Sequence, residues 1–250
     1  MKKLMTIAAA LVVGAAFADM ESSIVGYNTI TAPAAGKYIA LATQFQSATG
    51  TGALSIHDLV KVANPKGMPG LTQAADQLWL WDSANGEWVK YFYRSTNKVW
   101  CKQGETEQTT DTVGPGETLF FRRGGGGVAT TITLAGGVVT LTGNPTYPNL
   151  VAGKYAFMAY PWPVDMPIAN FKKYQGAPKG MPGLTQAADQ IWLWDSTAGD
   201  WVKYFYRSTN KVWCKQGETT ETADVVPAGE GFFFRRGGGG VTDTVTFTFE

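Results

Sequence analysis

The residue types that carry most acid–base, nucleophilic and metal chemistry are scarce in this chain of 250 residues, which has one histidine, His57, and two cysteines, Cys101 and Cys214. That leaves no material for a His/Cys metal cluster, a disulfide framework or a histidine-based triad, so no metal and no cofactor is expected. Carboxylates recur in two sets, Asp76, Asp82, Glu105 and Glu117, then Asp189, Asp195, Glu218 and Glu230. Two of them could in principle pair as glycosidase carboxylates, but nothing in their spacing selects a pair. Asp76 and Asp82 read more simply as turn residues flanking a strand. The chain is therefore read as non-enzymatic, with no catalytic residues.

The residues that remain suit binding. Strict alternation along Trp88–Lys102 puts Val89, Tyr91, Tyr93, Val99 and Cys101 on one strand face, and Trp88, Lys90, Phe92, Arg94, Lys98, Trp100 and Lys102 on the other. The second face recurs as Trp201, Lys203, Phe205, Arg207, Lys211, Trp213 and Lys215. Aromatics interleaved with cations make a platform on which sugar rings stack while Lys and Arg meet hydroxyls or carboxylates. The plainer reading is that the rings pack under a second sheet or the other domain while the cationic stems reach outward. Trp79 and Trp81 lie opposite Leu78 and Leu80, so that strand is apolar on both sides and belongs in the middle of a sheet or at an interface.

Arg122-Arg123 and Arg235-Arg236 each precede four glycines, and adjacent guanidiniums with free N–H groups form an anion-site candidate. The alternative is a strand running into a Gly turn. No Lys-Ser or Lys-Thr follows the glycines, so this is not a phosphate-binding loop. Cys101 and Cys214 occupy matching positions, which leaves open burial without a bridge, a single disulfide across a pseudo-twofold, or a bridge between chains.

The elements that position these residues come in duplicate. Pro65–Gly127 aligns with Pro178–Gly240 at a constant offset of 113, with PKGMPGLTQAADQ, WVKYFYRSTNKVWCKQGET and FFRRGGGG shared. A unit of this length is a domain rather than a solenoid repeat. The near-identity exceeds what a fold requires, because cores tolerate apolar exchange. Strand signals run over 76–81, 87–94, 98–102, 117–123 and 128–134, with Asn85-Gly86 as a two-residue hairpin turn and Ser95-Thr96-Asn97 as the next connection. A short helix is expected at 55–62, capped by Ser55, with 167–174 as its counterpart. The expected fold is all-β: two tandem similar antiparallel β domains, sandwich or small barrel, with one short helix each, over 19–134 and 135–250.

Residues 1–18 read as a signal peptide, with Lys2 and Lys3, an apolar run and the small-x-small site Ala16-Phe17-Ala18. Its removal leaves 19 basic against 20 acidic residues, net −1, which gives no attraction to nucleic acid. The apolar stretches are too short for a transmembrane helix. An exported protein of the periplasm, cell surface or extracellular space is expected.

The segment Glu21 to Tyr27, the opening Ala35-Gly36-Lys37-Tyr38, the block ADQ-x-W-x-W-D and the ending Pro-x-Gly-x-x-Phe-Phe-Phe-Arg-Arg resemble those of uncharacterised secreted two-repeat β proteins of Verrucomicrobia- and Lentisphaerae-type bacteria. The ending is complete in the second copy only. The resemblance implies export and a β-rich fold, and lends no catalytic or binding residue. The function expected is a cell-envelope or extracellular structural protein that contacts itself or other cell-surface components. A tandem glycan-binding protein with polysaccharide as partner is the first alternative, since two linked weak sites gain avidity on a polymer. An outer-membrane barrel, suggested by the alternating end Val241–Phe249, is the second.

Overall fold

The structure is a computed structural model that describes residues 25–47, 52–70, 73–139, 146–173, 178–183, 186–238 and 243–246. The expected signal peptide lies outside the described residues, as does most of the stretch 241–249. The described residues are nearly all β, with 46% in strands, one short α-helix and several antiparallel sheets, none of them closed into a barrel. The arrangement is consistent with the sandwich form of the expected fold. No helix among the described residues is long and apolar enough to cross a membrane.

The first half is built on a five-stranded sheet in the order Tyr38–Ala42, Thr118–Arg122, Gln77–Asp82, Glu87–Arg94, Val99–Lys102. The second half repeats it as Tyr155–Ala159, Gly231–Arg235, Gln190–Asp195, Asp200–Arg207, Val212–Lys215. The strand that is apolar on both sides is central in each sheet. On one face Leu41, Leu78, Tyr91, Leu119 and Phe121 are buried beneath Ile56, Leu59, Ile132 and Leu134 from a covering layer. Each such side chain contributes about 1.5–3 kcal/mol by leaving water. The covering layer pairs Val25–Thr31 with Thr131–Val138, which also meets Phe45–Gln46 and Val60–Val62. The expected boundary after Leu134 therefore falls inside a strand. In the second half Ile168, Phe171, Ile191, Tyr204, Trp213 and Phe232 make the equivalent core, and Thr146–Leu150 pairs with Asp243–Thr246.

Local chemistry corrects three expectations. The turn after Asp82 has four residues, because the Asp82 carboxylate accepts the N–H groups of Ala84 and Asn85 and only Gly86 takes a positive φ, of 73°. The Ser55 hydroxyl caps a helix of a single turn, Ile56–Leu59, after which Val60–Val62 leaves as a strand. Its counterpart is a 3₁₀ helix, Ile168–Lys173. The hairpin at Ser95 also holds one residue more than expected: Lys98 belongs to the turn, with φ 57°, and Lys211 matches it at 55°. One extra residue flips every following side chain to the other face. Tyr93 is thus opposite Trp100 and Phe92 opposite Cys101.

An aromatic cleft between the two sheets

The five-stranded sheets meet through the faces turned away from their own cores. From the first come Tyr38, Ala40, Trp79, Trp81, Trp88 and Phe120; from the second come Tyr155, Phe157, Trp192, Trp194, Trp201 and Phe233. Alternation along Gln77–Asp82 places Trp79 and Trp81 here because Leu78 and Leu80 face the core. The junction is crosswise, since the Trp81 indole N–H donates to the Tyr155 carbonyl at 2.9 Å and that of Trp194 to the Tyr38 carbonyl at 3.0 Å. Edge-to-face contacts recur in pairs, such as Trp81–Trp88 at 5.0 Å and Trp194–Trp201 at 5.2 Å between ring centroids. Phe157 and Phe233 stack at 4.5 Å beneath them.

The pseudo-twofold is broken at its centre. The Thr118 hydroxyl donates to the Met158 carbonyl at 2.5 Å, and the position matching Thr118 in the second sheet is Gly231, where a Cβ would overlap the Thr118 side chain. Backbone bonds from Ala42 N–H to Gly229 O, 2.9 Å, and from Ala159 N–H to Gly116 O, 2.7 Å, fasten the two sides. The tryptophan and tyrosine rings above this floor are only half-buried. They surround a cleft of about 350 Å³ lined by Tyr38, Trp79, Trp81, Trp88 and Phe120 with their five counterparts. This volume lies within the roughly 300–1,000 Å³ of ligand pockets.

Several groups hold the walls in place. The Gln77 side-chain carbonyl accepts the Trp79 indole N–H at 2.8 Å, and Gln190 does the same for Trp192. Lys90 Nζ lies 4.3 Å from the centre of the Trp79 ring and Lys203 Nζ 4.3 Å from that of Trp192. Arg122 stands over Tyr38 and Arg235 over Tyr155, and each also donates to a backbone carbonyl, Gln73 or Gln186.

The aromatic and basic stripe read from the sequence divides between the two faces. Trp88, Lys90 and Arg94 with Trp201, Lys203 and Arg207 keep the junction face, and Phe92 and Phe205 are buried on it. Trp100 and Trp213 go to the core face, where both are fully buried. The Trp100 N–H reaches the Val60 carbonyl at 3.4 Å, whereas that of Trp213 has no acceptor among the described residues. Lys102 and Lys215 also cross to the core face, 3.0 Å from Asp111 and 3.3 Å from Asp224. Those carboxylates accept from Tyr91 at 2.7 Å and Tyr204 at 2.8 Å. Burial, then the Asp partner, pushes both phenols well above the ordinary tyrosine range. Arg94 and Arg207 are spent on carbonyls, of Pro69 and Thr106 and of Pro182 and Thr219.

The arginine pairs do not form one anion site. Arg123 is 1% exposed, 2.6 Å from Asp76 Oδ2, and also donates to the carbonyls of Asn64 and Val128. Asp76 accepts further from Gly124 N–H at 2.7 Å and Lys66 N–H at 2.8 Å. Burial pushes its carboxyl up, against those amides and Arg123. Arg236 and Asp189 repeat the pair at 2.8 Å. The first glycine is required because a Cβ on Gly124 would run into the Ala74 carbonyl, and one on Gly237 into that of Ala187. Asp76 is thus the hub that ties Lys66, Arg123 and Gly124 together rather than a turn residue. Cys101 and Cys214 are free, buried thiols in this structure. Burial raises both above the usual thiol range.

Of the other duplicated acids, Asp82 and Asp195 close hairpin turns, Glu117 accepts from Gly114 N–H, Glu105 and Glu218 are exposed, and Glu230 is pushed up by burial and then by the charges of Asp165 and Asp195. His57 sits on the single-turn helix, its pKa lowered by burial and then by Lys61. Among the described residues no three His, Cys, Asp or Glu side chains gather as metal ligands. Sequence reasoning missed Tyr38 and Phe120 as wall residues and Gln77 as the acceptor that holds Trp79, together with their counterparts. The signal present was the shared ADQ-x-W-x-W block, in which Gln, Trp and Trp share one face. No family model, curated protein or solved structure matches the chain.

Proposed function

We propose that this is an exported, non-enzymatic binding protein of the cell envelope that seats a saccharide chain in the aromatic cleft between its two sheets. The observation that carries this reading is the set of six half-buried indoles, three from each sheet, arranged in matching pairs around one cleft. Buried rings serve cohesion alone, whereas rings left half-open at a cleft offer flat apolar faces to the C–H faces of sugar rings. Indole N–H groups already committed to Gln77, Gln190 and the two tyrosine carbonyls keep those faces in fixed orientations. The N-terminal sequence of residues 1–18 supports export.

The test is retention on immobilised polysaccharides. Trp79→Ala with Trp192→Ala is expected to abolish retention while near-UV and far-UV circular dichroism still report a folded chain. Unchanged retention, or no retention of the unaltered protein on any polysaccharide, contradicts the reading.

A second reading, self-association, is favoured by one feature. Tyr27 is 77% exposed and Val138 43% exposed, beside a groove of about 450 Å³ lined by Phe45, Pro161, Trp162 and Pro163 among others. If two copies meet there, Tyr27→Ser shifts concentration-dependent light scattering toward monomer. A chain that is monomeric at every concentration removes this reading.

A further inference from the structure

We infer that the saccharide taken by the cleft is acidic, its carboxylate or sulfate groups meeting Lys90 and Lys203. This inference rests on the saccharide reading above and adds the ligand's charge. Its ground is the charge pattern of the two junction faces. In the strands Tyr38–Ala42, Gln77–Asp82, Glu87–Arg94 and Thr118–Arg122, the charged side chains that share a face with Trp79 are Lys90, Arg94 and Arg122. In the second sheet they are Lys203, Arg207 and Arg235. Every one is basic, although the chain has nearly equal numbers of acids and bases. The acids of these strands, Asp82 and Glu87, fall on the opposite parity.

Four of these six cations are occupied by backbone carbonyls: Arg94 and Arg207, Arg122 and Arg235. Lys90 and Lys203 are different. Each ammonium lies over an indole that lines the cleft, and among the described residues neither is within ion-pair distance of a carboxylate. The arrangement also decides against the other ligand that aromatic cages take, a quaternary ammonium. Two lysines on the wall rings repel a cation and already fill one face of each ring. An anionic group adjacent to a stacked sugar ring gains a charge-assisted contact instead. Because the two lysines are related by the pseudo-twofold, one such contact stands beside the cleft on each sheet, over a wall indole.

The experiment titrates the purified chain by calorimetry with three hexasaccharides of equal length: a galacturonate oligomer, a sulfated galactan oligomer and an uncharged galactan oligomer. The expected result at low salt is that at least one acidic oligomer binds about tenfold tighter than the neutral one, and that this advantage shrinks in 0.5 M NaCl because salt screens exposed charges. Preference for galacturonate assigns the anion as carboxylate, and preference for the sulfated oligomer assigns it as sulfate. Lys90→Gln with Lys203→Gln is expected to level the acidic and neutral affinities, while Lys90→Arg with Lys203→Arg keeps them apart. Equal binding of all three oligomers by the unaltered chain overturns the inference and leaves the aromatic seat standing. Failure of every oligomer to bind overturns both. An acidic preference that survives the glutamine pair overturns the role of these lysines.

Discussion

The two faces of each five-stranded sheet are made by the same strands yet differ in kind. On the core face Leu78, Tyr91, Trp100 and Phe121 are sealed, and its charges, such as Lys102, are neutralised by Asp111. On the junction face Trp79, Trp81 and Trp88 are half-open, the strand charges are all basic, and among the described residues Lys90 has no carboxylate within ion-pair distance. A strand's period of two lets one short sequence serve both ends, so residues i and i+1 can have unrelated work. Arg122 and Arg123 are the sharpest case. The first lies over Tyr38 at the junction and the second is locked to Asp76.

The largest effect expected from this division is on stability. Arg123→Ala leaves Asp76 buried without its cation and is expected to cost about 3–5 kcal/mol, read as a lowered urea midpoint. Arg122→Ala, one residue away, is expected to cost under about 1 kcal/mol, as for exposed charges. Equal losses at the two positions would erase the distinction between the faces.

Much of this was legible in the sequence, and what was not turned on single residues. The duplication, the all-β class and the central strand follow from identity between repeats and from apolar residues on both sides of Gln77–Asp82. The face of Trp100 did not follow, because it depends on whether Lys98 ends a turn or starts a strand. A positive φ at Lys98 has no marker in residue type, unlike one at glycine. Nor could local sequence show that Arg123 reaches Asp76, 47 positions away. The cleft itself is a product of two sheets meeting, and its wall residues are split evenly between distant stretches of chain.

At the junction floor the two halves stop being copies. Gly231→Ala places a Cβ into the Thr118 side chain and is expected to destabilise by about 1–3 kcal/mol, the usual range for overpacking. Thr118→Gly in the same chain is expected to recover most of that loss, a coupling that a double-mutant cycle measures. Additive losses would mean that the two positions do not meet.

The smallest effect is one of acidity on the core side. Asp111 and Asp224 titrate below the usual carboxylate value. For Asp111, burial opposes the shift and is outweighed by the hydrogen bonds from Tyr91 and Lys102; for Asp224, the Tyr204 bond leads. A depressed carboxylate contributes stability above its unfolded pKa of about 3.9 and loses it as pH falls through the folded value. Both groups are more than a third exposed or close to it, so the contribution is about 1 kcal/mol or less. Asp111→Asn with Asp224→Asn is expected to flatten urea stability measured between pH 5 and pH 2.5, and an unchanged slope would remove the two groups from the acid response.

The contrast between faces is tested most directly by ¹⁹F nuclear magnetic resonance of the chain labelled with 5-fluorotryptophan, titrated with the galacturonate, sulfated and neutral oligosaccharides. The nine tryptophans give nine reporters. The account predicts that the resonances of Trp79, Trp81, Trp88, Trp192, Trp194 and Trp201 move on saccharide binding, while those of Trp100 and Trp213, sealed in the two cores, stay in place. Movement confined to Trp100 and Trp213, or no movement with any saccharide, would contradict it.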